Sequence, residues 1–204
     1  MKKIIILFVF IFLTGFVYAK NLVYIPTANS VDGVSLSYDY EYNEHNHIFN
    51  VQGGFNGFEV SFTNYNNEFD KDKFIPSSKS VLDAQWQFIP DFGAIPSVAV
   101  GVKDITCKLD KNPTFYAVAT KDFSGYIPLE LVNKLELSCG ASYNSLGIFG
   151  GLNVQLGFIY GTIEAYKEDY NMSCGLSFLD DTIRVGYKRF NKSDYVGIDC
   201  GFGF

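Results

Sequence analysis

The residues of this chain whose types and spacing come closest to chemistry are its two histidines. His45 and His47 lie at i and i+2 in EYNEHNH, beside Glu44. Two imidazoles and a carboxylate could touch a metal ion, but a specific site needs three or four ligands and partners that orient them. No metal or other cofactor is therefore expected. His47 could also act as a base with Glu41 and a serine of a neighbouring strand, as a lipid hydrolase or protease would require. Nothing in the sequence picks out that serine. HExxH, paired CxxC, GxSxG and GxxxxGK[ST] are all absent from the sequence, and with them the usual metal, nucleophile and phosphate chemistries. The expectation is a protein that is not an enzyme.

What remains is a set of charges in alternating register. Asp39, Glu41, Glu59 and Asp83 come early in the chain, and Lys103, Lys134, Arg184 and Lys188 come later. If they share one face of a closed sheet, they line its lumen. They could close that lumen with ion pairs, or border a narrow polar passage whose charges shape selectivity.

The elements that must position them are strands. In VSLSYDYEY, Val34, Leu36, Tyr38, Tyr40 and Tyr42 alternate with Ser35, Ser37, Asp39 and Glu41, and successive strand side chains point to opposite faces. The same alternation recurs to the last residue. Phe49 and Val51 oppose Asn50 and Gln52; Phe58, Val60 and Phe62 oppose Glu59, Ser61 and Thr63; Leu82, Ala84, Trp86 and Phe88 oppose Asp83, Gln85 and Gln87. Val98, Val100 and Val102 oppose Ala99, Gly101 and Lys103, and less cleanly Tyr116 and Val118 oppose Ala117 and Ala119. Leu135, Leu137, Cys139, Ala141 and Tyr143 oppose Lys134, Glu136 and Ser138; Leu152, Val154 and Leu156 oppose Asn153 and Gln155; Gly161, Ile163 and Ala165 oppose Tyr160, Thr162 and Glu164. The last three segments centre on Cys174, Val185 and Ile198. The count is twelve strands, or ten if the glycine-rich 145–158 is a loop excursion.

Twenty Phe and fourteen Tyr bring aromatics to 17% of the 204 residues, as strands and membrane-interface belts favour. A formal charge of −6 argues against nucleic acid, which needs basic patches. Lys2, Lys3, the apolar run Ile4 to Phe16 and Val17-Tyr18-Ala19 have the layout of a signal peptide, residues 1–19, cleaved on export. After Ala19 no apolar segment reaches membrane-helix length, so a membrane-spanning mature chain must be a closed barrel. Residues 20–204 are read as one such domain, an all-β antiparallel up-and-down transmembrane barrel.

Two features bear on which face is wet. The polar face, with Asp39, Gln52, Glu59, Asp83, Gln85, Lys134, Glu136, Arg184 and Lys188, is too polar for a packed core. The chain also ends GIDCGFGF, with Phe202 and Phe204 in the outward register, the signal that outer-membrane assembly machinery reads. Connections near 43–46, 66–79, 104–112, 144–146, 167–170 and 191–194 fall on the outside, and mostly shorter turns on the periplasmic side. Cys139, Cys174 and Cys200 point outward from strands that are not neighbours, so they are expected as free thiols.

The segments LVYIPTANSVDGVSLSYDY, IPSVAVGVKDI, FYAVATKDF, IEAYKEDYNMSCGLSF, DTIRVGYKRF and YVGIDCGFGF occur in an order that resembles the YjbH-like outer-membrane β-barrel family. The resemblance spans nearly the whole mature chain. The chain departs from it in being shorter than many members, and in Ala165-Tyr166-Lys167 where the family is more acidic. It implies an outer-membrane location, a role in exopolysaccharide production or export, and polysaccharide or export-system proteins as partners. It carries over no catalytic residue. The other expected partner is outer-membrane lipid, and the expected state is a monomer. The rival readings are a passive porin-like channel, a lipid-modifying enzyme and a soluble exported binding barrel.

Overall fold

A computed structural model describes residues 25–30, 32–66, 79–128, 131–167, 169–179, 181–190 and 192–203. The expected signal peptide, most of the loop 66–79 and Phe204 lie outside these residues.

Twelve strands form: β1 (Gly33–Glu41), β2 (His47–Phe55), β3 (Phe58–Asn66), β4 (Lys79–Ile89), β5 (Ser97–Lys103), β6 (Thr114–Asp122), β7 (Val132–Ser142), β8 (Ile148–Leu156), β9 (Ile159–Tyr166), β10 (Asp169–Phe178), β11 (Ile183–Phe190) and β12 (Ser193–Gly203). Each pairs antiparallel with the next, and β1 pairs with β12 from Gly33 opposite Gly203 to Glu41 opposite Tyr195. The sheet is a closed up-and-down barrel without an open edge. The segment 145–158 is not an excursion: β8 pairs with both β7 and β9, which settles the count at twelve. Among the described residues the one helical turn is the 3-10 turn Ser124–Tyr126.

The two ends of the barrel differ. One carries the connections 42–46, 67–78, 104–113, 143–147, 167–168 and 191–192, here called the loop end. The other is the turn end, where 56–57 and 157–158 are two-residue turns and 90–96 and 123–131 are longer; Asn56-Gly57 has positive φ values of 51° and 82°, which fit the hairpin turns that match strand twist.

Burial runs opposite to that of an ordinary domain. Gln52, Asn153, Glu164, Asn171 and Arg184 are each at most 1% exposed, whereas Val60, Leu137, Ile163 and Val196 stand exposed on the outside. The outward aromatics form two bands. Tyr38, Tyr42, Tyr143 and Tyr170 lie toward the loop end, and Phe55, Phe58, Trp86, Phe88, Phe158 and Phe178 toward the turn end. Phe58 stacks on Trp86 with ring centroids 5.6 Å apart. No helix among the described residues is long and apolar enough to cross a membrane, which says nothing of strands.

One strand departs from the reading of its alternation. In β6, Tyr116 and Val118 are buried and face the lumen, while Phe115 and Ala117 are exposed. The register requires it, since Val118 pairs with luminal Ala99 and Tyr116 with luminal Gly101.

Candidate functional site: the lumen

The luminal wall is built from small and large residues in alternation around the barrel. Gly175, Gly186 and Gly197 pair in one row across β10, β11 and β12. A Cβ added at Gly186 would lie 2.4 Å from the Cys174 carbonyl oxygen and 2.4 Å from the Tyr160 hydroxyl. Tyr160 lies across this row, and the Arg184 guanidinium sits over its ring at 4.9 Å. Tyr116 covers Gly101 and Phe149 covers Gly140 in the same manner. Aromatic rings laid over glycines thicken the wall where backbone would otherwise be bare.

The structure places all eight candidate charges in the lumen. Lys188 Nζ lies 2.8 Å from Asp39 Oδ1 and 2.9 Å from Asp199 Oδ1, bridging β1, β11 and β12. Arg184 donates to Asp181 through Nε at 2.6 Å and again through Nη2, and to Gln155 Oε1 at 3.3 Å. Lys134 lies 3.2 Å from Glu136. Asp83 accepts the Asp104 backbone N–H at 2.7 Å, Glu41 accepts from Asn46, and Glu59 and Lys103 border the remaining space. The charges do not segregate into an acidic and a basic wall. Lys188 is neutralised across strands, whereas Arg184 pairs with the turn before its own strand and Lys134 pairs within β7.

Beside the lumen, Asp104 organises the loop after β5. Burial disfavours its charge, but backbone N–H groups of Asp110, Lys108 and Leu109 and the Thr106 hydroxyl outweigh that and hold its carboxyl below the usual range.

The element that sequence reasoning missed is the segment 25–30, which lies inside the barrel as a strap. Its Ser30 backbone N–H and hydroxyl donate to Gln87 at the turn end, at 3.4 and 2.8 Å. Asn29 donates to Glu136 at 2.8 Å and accepts from Ser97 at 2.8 Å. The Ala28 N–H donates to Thr120 at 2.9 Å, and the Ile25 N–H to Glu164 Oε2 at 3.3 Å, nearer the loop end. Ile25 and Ala28 are fully buried in a luminal apolar cluster with Ala99, Tyr116, Val118, Leu146 and Phe149. The irregular alternation of FYAVAT was the available signal, because Tyr116 and Val118 turn inward to form this seat.

The opposite side of the lumen keeps a cavity of about 110 Å³. Ser37, Asn50, Thr63 and Ser173 line it with Lys103, Lys188, Asp39, Asp83 and the rings of Tyr65, Phe190 and Tyr195.

The hydrolase arrangement is not assembled. His47 is on the outer face with Tyr40 and its Nδ1 is 2.5 Å from the Tyr38 hydroxyl, whereas Glu41 points inward. His45 instead meets the Tyr40 hydroxyl. No group of three or more His, Cys, Asp or Glu among the described residues is placed to hold a metal ion. Cys139, Cys174 and Cys200 are free thiols on the outer face, and Cys107 is a free thiol in a loop.

No protein-family model and no curated protein matches this chain. Among solved structures it is similar to mutants of the porin of Rh. blastica. One triple mutant of that porin aligns at 12% identity and a TM-score of 0.35, over 77% of this chain and 55% of the porin chain. A second triple mutant, with two introduced tryptophans, aligns at 13% identity and a TM-score of 0.34 over the same shares. The chain thus spans about half the length of the porins it matches.

Proposed function

We propose that this chain is a non-enzymatic β-barrel of a bacterial outer membrane, exported by its leader 1–19, with a structural or export-associated role in surface exopolysaccharide. The observation that carries the membrane reading is the inverted burial: a charged, hydrogen-bonded interior inside an apolar exterior with an aromatic band at each end. A soluble barrel would leave that exterior as one contiguous apolar patch far beyond the few hundred Å² that soluble monomers expose. The exopolysaccharide role rests on the family resemblance and takes export-system proteins as partners. Assembly machinery would engage the β12 end, where Phe202 faces outward, together with Phe204.

The first test is electrophoresis of detergent-extracted protein, boiled and unboiled, beside cell fractionation. Outer-membrane recovery and a mobility shift on boiling are expected; identical migration with recovery in the soluble periplasm would refute the reading. Loss of exopolysaccharide in a deletion strain, restored by the wild-type chain, tests the role.

A second reading, a porin-like passage for small hydrophilic solutes, is favoured by the polar cavity of about 110 Å³. Steady conductance of the wild-type protein in planar bilayers would support it.

A further inference from the structure

The lumen has two halves of different chemistry, and the strap occupies only one. The apolar wall residues Ala99, Val118 and Phe149 lie under Ile25 and Ala28. Elsewhere the wall is mainly hydroxyls, amides and charged groups, with the separate rings of Tyr65, Phe190 and Tyr195 among them. An apolar patch confined to the footprint of one segment is a seat for that segment. Among the described residues no second buried apolar cluster lies on the β1–β3 side.

The strap is not a strand of the barrel. It joins no sheet, and its hydrogen bonds to the wall end on the side chains of Gln87, Glu136, Ser97, Thr120 and Glu164. Each of those groups can be handed to water when the strap leaves, with no ladder to break. A ladder partner could not be exchanged so simply.

The strap also borders the polar half directly. Pro26 lines a second space, of about 20 Å³, with Glu59, Ser61, Asp83, Gln85, Lys103 and Tyr116. Ser61, Asp83 and Lys103 line the larger cavity as well. Withdrawing the strap would join both spaces to the region it now fills. Three polar groups in this zone have no hydrogen-bond partner among the described residues: the Gln52 side chain, 1% exposed and between Ser35 and Ser61 in the register, the Gln85 Nε2 and the Tyr160 hydroxyl. All three are suited to water or a solute passing along the wall.

We propose that residues 25–30 are a displaceable strap, and that the barrel is a gated pore for small hydrophilic solutes whose gate is its own N-terminal segment. Asp39, Asp199 and Asp181 outnumber Lys188 and Arg184, with which they pair, and Glu59, Glu136 and Glu164 add further negative charge along the wall. Neutral and cationic solutes fit this path, and potassium should pass in preference to chloride. This inference rests on the outer-membrane reading and goes beyond it, because a barrel with a purely structural role needs no gate.

The experiment is planar-bilayer recording in potassium chloride with three purified proteins: the full-length wild type, a chain lacking residues 25–30, and the double variant Ile25→Asp, Ala28→Asp. The double variant places charge in the apolar seat and keeps the chain length, so it serves where the deletion fails to fold. Wild type should be mostly closed with brief openings, and either variant should raise the open fraction roughly tenfold or more with the same unit step. Variants that run as heat-modifiable barrels, insert, and stay as closed as wild type would overturn the strap. So would a wild type already as open as its variants. Recovery of the wild type as a soluble, non-heat-modifiable protein would instead overturn the membrane reading.

Discussion

Lys188 is the residue on which the luminal charges converge, since it alone separates Asp39 from Asp199. Removing one partner of a buried ion pair leaves uncompensated charge and costs about 3 kcal/mol or more. Lys188→Met should therefore lower the temperature at which the folded band disappears on a gel. Adding Asp39→Asn to it should recover part of the loss, and failure to recover would mean that Lys188 acts through packing alone. Asp104 supplies a pH-dependent counterpart outside the strands. Its folded carboxyl titrates below the unfolded one, so its contribution is complete above the ordinary carboxylate range and is lost as pH falls through the lowered folded value. Proteolysis of the 104–113 loop in wild type should increase on acidification, while Asp104→Asn should show a flatter profile.

At the scale of the element, the row Gly175, Gly186 and Gly197 and the strap make opposite demands. The row is crowded by backbone, so Gly186→Ala should destabilise the barrel by about 1–3 kcal/mol. Gly53→Ala is the control: its nearest neighbour would be the Gly33 carbonyl oxygen at 3.8 Å, an ordinary contact, and its gel transition should stay at the wild-type temperature. The strap is held by opposing terms of similar size. Burying Ile25 contributes about 1.5–3 kcal/mol, and six hydrogen bonds to the wall contribute about 1 kcal/mol each. Ordering six residues costs roughly 6–12 kcal/mol. The near balance is what a segment that closes a lumen and can also leave it requires.

At the scale of the whole molecule, the outer face decides where the protein resides, and the thiols report on it. Cys139 and Cys174 are exposed on strands, and Cys107 is exposed in the loop after β5. On the proposed outer-membrane location, a charged maleimide added to outer-membrane vesicles should label Cys107 and spare Cys139 and Cys174, which lipid would cover. Equal labelling of all three in a folded protein would show that water reaches the barrel exterior. An oxidised Cys174–Cys200 bridge by mass spectrometry would contradict the strand register, in which β11 separates the two.

The strands, their approximate ends and the sets of side chains that share a face were legible from local alternation. A period of two is written residue by residue, and a one-residue slip would turn an entire face from apolar to charged. Asp39, Asp83, Arg184 and Lys188 were legible as one set for that reason. Their pairing was not, because which carboxylate meets which cation depends on neighbouring strands and their register. β6 shows the limit most clearly. Both faces of FYAVAT are apolar, Phe115, Ala117 and Ala119 against Tyr116 and Val118, so the alternation carried no preference. The folded barrel made that choice: the segment 25–30, with no period of its own, lies in the lumen and supplies the apolar partner that turns Tyr116 and Val118 inward.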